Sequence, residues 1–157
     1  MSRAPDDLAR GCRQAQAIAA MLILTLGSYA YIVEMIRTQR APFAGFVPTS
    51  PIGLLRPALA VMAVLGLVFA KTMRSNILAG RTGAGVAAPR VMPVVPQLLT
   101  ASVVTLAMCE AIAIYGVVLF LLGGQRSDFY GFAAGAFLAL AVYFPRRSLW
   151  EAWAHQA

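Results

Sequence analysis

Histidine occurs once in this chain, at position 155, cysteine twice, at 12 and 109, and acidic residues only six times. Each shortage excludes a class of function. A centre ligated by nitrogen or sulfur needs several His or Cys side chains converging on one point, so neither a metal nor a cofactor is expected. A disulfide between Cys12 and Cys109 is not expected either, because the helices outlined below place the two thiols at different depths. One histidine close to the last residue offers no metalloprotease motif, and the chain has no nucleophile elbow and no phosphate-binding loop. The inventory predicts a protein that is not an enzyme.

Charge is scarce as well. Charged residues make up 12% of the chain and hydrophobic ones 60%, with a mean hydropathy of +0.73. These values lie outside the range of soluble domains and predict an integral membrane protein. A bilayer core of about 30 Å takes about 20 apolar residues in a helix, and four segments approach that length: about 15–36, 54–73, 97–122 and 129–144. The last, FYGFAAGAFLALAVYF, would rise about 24 Å, and Tyr130, Tyr143 and Phe144 at its ends suit interfacial anchoring, which predicts a short spanning helix. The first apolar run exceeds the about 7 to 15 residues of a signal peptide's apolar core, so it is expected to be retained.

Residues 1–157 therefore read as a single all-α domain, a four-helix transmembrane bundle. Basic residues fix the expected orientation, since Lys and Arg collect in cytoplasmic loops. With the N-terminus inside, Arg3, Arg10, Arg13, Lys71, Arg74, Arg81, Arg90, Arg146 and Arg147 lie on the cytoplasmic side, against Arg37, Arg40, Arg56 and Arg126 outside. That asymmetry predicts both termini inside, in a bacterial cytoplasmic (inner) membrane crossed several times. The net charge of +7 is spread over membrane-flanking loops without a recognition motif, so the expected partner is the lipid bilayer and not nucleic acid.

The connections differ in character. RTQRAPFAGFVPTSPIG, residues 37–53, reads as an irregular loop, and residues 74–96 as the longest exposed segment. GGQRSD, residues 123–128, is so short that helices three and four must form a tight antiparallel hairpin. Gly131, Gly135 and Ala139 recur at intervals of four and predict close helix packing within the chain, with Gly66 and Ala70 a weaker instance. Pro145 is expected to stop helix four, with Arg146, Arg147, Trp150 and Trp153 anchoring a short interfacial segment.

One acid, Glu110, falls in the middle of an apolar run. An ionised carboxylate at the bilayer centre costs about 2.5 to 3.5 kcal/mol on insertion scales. A protonated carboxyl that hydrogen-bonds to another helix avoids that cost. Such a group either fixes packing or, by losing and regaining its proton, carries it. Glu34 and Arg37, three residues apart, are expected to pair at the interface, and Asp128 beside Arg126 to serve the turn.

The segment LLTASVVTLAMCEAIAIYGVVLFLL, residues 98–122, resembles the carboxylate-bearing helix of the proteolipid, or c, subunits of rotary ATPases. The resemblance implies that Glu110 is an ion-binding carboxylate and Tyr115, five residues on, an accessory hydrogen-bonding residue. DFYGFAAGAFLALAVYFPRRSLWEAW, residues 128–153, also resembles uncharacterised small four-helix bacterial membrane proteins, which implies a fold and no activity. No helix here carries the dense glycine repeat that packs a proteolipid ring. The leading expectation is thus a small noncatalytic membrane subunit or accessory protein, joined to a membrane complex or to copies of itself. Proton translocation through Glu110 is the alternative.

Overall fold

The computed structural model describes residues 3–47, 51–78 and 94–154. Five helices follow in order: α1 (Arg3–Gln39), α2 (Ile52–Leu78), α3 (Val94–Gly123), α4 (Arg126–Val142) and α5 (Arg147–Ala154). Among the described residues there is no strand. Three helical stretches are long and apolar enough to cross a membrane, Asp6–Gln39, Ile52–Ile77 and Val95–Gly123. α4, with 17 residues, rises about 26 Å.

α1, α2 and α3 outrun their apolar cores, whereas α4 starts three residues before the expected 129 and ends at Val142, two short of the expected 144. α1 begins twelve residues before the expected boundary, because DDLARGCRQ holds no proline and its one glycine, Gly11, costs only about 1 kcal/mol: Asp6 lies in the first turn, favourable to the macrodipole, and Arg10 reaches back to Asp7 at 3.1 Å. α2 runs on through Leu78, so residues 74–78, expected as loop, are helical. Pro96 falls in the first turn of α3, where a missing N–H breaks no ladder bond. The rest of the expected internal loop, residues 79–93, lies outside the described residues.

α3 is the axis on which the other long helices pack. α1 runs parallel to it: Cys12 and Ala15 share a cluster with Leu98, and Val33 shares another with Phe120. α2 runs antiparallel, with Ile52 against Gly123, Gly66 near Met108, and the Gln97 side-chain amide donating to the Ile77 carbonyl. α4 also runs antiparallel, joined to α3 through Gly124 and Gln125, so the expected tight hairpin is present. Leu106, Cys109, Ile112, Ala113, Ala136 and Leu140 lie at the centre of the main core cluster.

α3 and α4 approach closely at Gly116, where a Cβ would come within 2.8 Å of the Phe132 Cβ and 3.0 Å of the Phe129 carbonyl oxygen. Gly131 and Gly135, expected to form a packed groove, are exposed instead, and a Cβ on either would meet nothing within 4 Å. The reason is rotational. α4 turns Phe129, Ala136 and Leu140 inward, which carries Gly131 and Gly135 to the opposite side; Ala139 is half-buried between the two faces. On α2 the small residues do pack, with Ala70 fully buried and Gly66 in ordinary contact with Met108.

The α1–α2 connection closes the carboxyl end of α3. The Phe46 N–H donates to the Leu121 carbonyl at 2.8 Å and the Val47 N–H to that of Leu122 at 3.4 Å, so carbonyls that a helix end leaves unpaired gain partners. Gly45 (φ 88°) and Gly124 (φ 71°) make this approach possible: a Cβ on Gly45 would clash with the Leu122 oxygen, and one on Gly124 would sit 2.7 Å from the Gly45 nitrogen. Both conformations are disfavoured for residues with a side chain.

Gly116→Ala is expected to lower unfolding stability in detergent by about 1–3 kcal/mol through overpacking. Gly131→Ala should be neutral or slightly stabilising, because alanine is the better helix former by up to about 1 kcal/mol. Thermal unfolding of both variants checks the contrast, and equal sensitivity at the two positions would contradict the packing described.

Candidate functional site

The parallel register of α1 and α3 places Tyr29 beside Glu110. The Tyr29 hydroxyl donates to Glu110 Oε1 at 3.2 Å, with both side chains half-buried. The separation exceeds the about 2.7–2.8 Å usual for a hydroxyl donor to oxygen, so the contact is a loose one. Around it lie apolar groups, including Cys109, Ala113 and Leu26 of the main cluster. Tyr115, implied by the resemblance as the accessory residue, packs against the same cluster and makes no hydrogen bond to Glu110 among the described residues. Five residues along a helix turn a side chain about 140° away, so the hydroxyl comes from α1 instead. The sequence carried that residue in plain view within GSYAY, but its pairing depends on a register that no local pattern encodes.

Two polar layers bracket this pair. At the Gly124 end, Arg56 of α2 donates through Nε to Asp128 Oδ2 at 2.9 Å and through its second nitrogen to the Gln125 side-chain oxygen. The Asp128 side chain is only 13% exposed, so its carboxylate, expected to serve the turn, binds α2 to α4 instead. Glu34 takes the Arg37 Nε–H at 3.1 Å, the expected interfacial pair, and also the Tyr130 hydroxyl at 2.9 Å. One carboxylate thereby ties α1 to α4.

At the other end, the Gln16 amide donates to the Pro145 carbonyl at 3.0 Å, and the Arg74 guanidinium lies 5.7 Å from the centre of the Tyr143 ring. Trp150, expected as an interfacial anchor, is only 2% exposed and packs with Cys12, Ala15 and Leu98. Its indole fills the angle between α1 and α3 against Gly11, where a Cβ would come within 3.1 Å of the ring. Arg146 and Arg147 stay exposed, Arg147 pairing with Glu151 at 2.7 Å. The Trp153 side chain and His155 lie outside the described residues. Cys12 and Cys109 are buried free thiols in separate clusters.

Among the described residues no group of three His, Cys, Asp or Glu side chains could hold a metal ion. What the site offers chemically is one carboxyl at mid-helix, held by one hydroxyl, with apolar surroundings. No family model, curated protein or solved structure matches this chain.

Tyr29→Phe and Glu110→Ala should each destabilise the protein modestly. A double-mutant cycle in mixed micelles is expected to give a coupling of about 0.6 kcal/mol, and no more than about 1.7, as for interhelical hydrogen bonds in membrane proteins. Glu110→Gln keeps an acceptor for the Tyr29 hydroxyl and should retain most of that coupling. A coupling of zero would separate the two residues energetically.

Proposed function

We propose that this chain is a small noncatalytic membrane subunit or accessory protein that crosses a bacterial cytoplasmic membrane four times, with both termini inside. The alternating helix directions support this reading, with α1 and α3 running one way and α2 and α4 the other. Nine basic residues then fall on the inner side and four on the outer. α4 is short for a core of about 30 Å, but Pro145 and the exposed Arg146 and Arg147 extend the segment into the headgroup region, where basic side chains are favoured.

The observation that carries the noncatalytic reading is the pairing of Glu110 with Tyr29 in the same chain. An intramembrane acid with an internal hydrogen-bond donor serves packing without a second subunit. An exposed face on α2, with Val61, Met62, Leu65, Val68 and Phe69 turned outward, supports the further point that the chain meets lipid or another membrane protein there. Proton translocation remains the second reading, favoured by the exposure that Glu110 retains; in it, the carboxyl releases its proton to a path completed by a neighbouring subunit.

Vesicles reconstituted with the wild-type chain should show no proton flux above empty vesicles, and Glu110→Gln should change nothing. Flux that Glu110→Gln abolishes would instead establish the translocating role. Native mass spectrometry from mild detergent should find the chain in a defined assembly with other polypeptides; a homo-oligomer of many copies would favour the proteolipid-like reading. For topology, an impermeant maleimide should label Ser127→Cys on intact spheroplasts and Ser148→Cys only after lysis. The reverse pattern would invert the orientation.

A further inference from the structure

A cavity of about 630 Å³ opens at the Gly124 end of the bundle, between the last turn of α1, the α1–α2 connection and the first turn of α4. We propose that it binds a single phosphate group, as the headgroup of an anionic phospholipid or as a free anion. Its volume lies in the about 300–1,000 Å³ range of small-molecule sites. Arg37 and Arg126 line it with Thr38, Gln125 and Ser127, and no acidic side chain does. Glu34, the acid bound to Arg37, is not part of the lining.

The two guanidinium groups have donors to spare. Glu34 engages Arg37 through Nε, which leaves the terminal nitrogens of a five-donor fork for another acceptor. Arg126 is exposed and has no carboxylate within ion-pair distance among the described residues. Paired arginine forks match the geometry of phosphate oxygens better than any other side chain.

The start of α4 adds to this charge. Gln125 gives its own helix no side-chain cap and instead accepts from Arg56; the Asp128 N–H donates to the Gln125 carbonyl at 3.3 Å, which leaves the Arg126 and Ser127 N–H groups for an anion. The walls also hold Pro42 and Phe43, which supply the apolar contact that a glycerol ester would use and inorganic phosphate would not. Placement at the end of the apolar helices puts the cavity at headgroup level. The lipid source therefore rests on the membrane reading proposed above, whereas the phosphate site itself does not.

The test uses the full chain in a neutral detergent. Native mass spectrometry with added phosphatidylglycerol should show one tightly held lipid, with affinity lowered at least about tenfold in Arg126→Gln, the loss of one charged hydrogen-bonding group. Arg146→Gln, at the opposite end, should bind as the wild type does. Thermal unfolding without ligand checks that Arg126→Gln is folded, and Arg126→Lys, which keeps the charge but not the fork, should bind between the two. Inorganic phosphate forms the second arm: stabilisation over chloride at equal ionic strength, lost in Arg126→Gln and without lipid discrimination, would assign the site to a free anion. Wild type and Arg126→Gln behaving alike toward both probes would overturn the proposal.

Discussion

Every long helix of this protein uses α3 as its principal neighbour, and that single burden governs the remaining architecture. A helix that receives partners on three sides must be apolar or self-satisfied all round. α3 buries two hydroxyls, Ser102 and Thr105, the second folded onto its own backbone and donating to the Ala101 carbonyl at 2.7 Å, and it has Gly116 where Phe129 and Phe132 of α4 press against it. In the lipid setting proposed here, helices gain little from hiding apolar surface from one another, so shape and polar contacts decide what stays together. α2 illustrates the rule. Its middle offers mostly outward-facing apolar side chains, while Arg56 clasps α4 at one end and its Ile77 carbonyl receives Gln97 at the other.

The helices themselves were legible because uninterrupted apolar runs leave few alternatives. Their ends were not, since polar residues such as Asp6, Asp7 and Arg74 extend a helix readily, and the single Gly11 in the α1 extension does not interrupt it. Glycine spacing misled at Gly131 and Gly135 because a period of four identifies a face without saying which neighbour covers it. Gly116, the glycine that does lie against α4, is not part of that repeat. Trp150 followed the same logic: an aromatic after Pro145 near arginines has the composition of an anchor, and only the return of α5 onto Cys12 and Leu98 makes it a core residue.

The candidate site was legible as an acid and not as a pair. Glu110 is conspicuous against its apolar neighbours, whereas Tyr29 belongs to a helix remote in sequence and parallel to α3. The same holds for Arg56 with Asp128 and Tyr130 with Glu34. In each case the residue type announces that a partner must exist, and the identity of that partner comes from how the helices are arranged. The result is a layered distribution of polarity, with firm contacts at both ends and one loose contact between them.

The docking of residues 46 and 47 onto the last carbonyls of α3 also has a bearing on the order of assembly. A chain emerges from the ribosome N-terminal end first, so the α1–α2 connection is made well before the backbone it must meet. Gly45 and Gly124 sit on opposite sides of that closure, one synthesised early and one late. The first pair of helices thus waits with its connecting segment unfastened until the α3–α4 turn arrives, and the earliest loop of the protein is among the last parts to reach its final place.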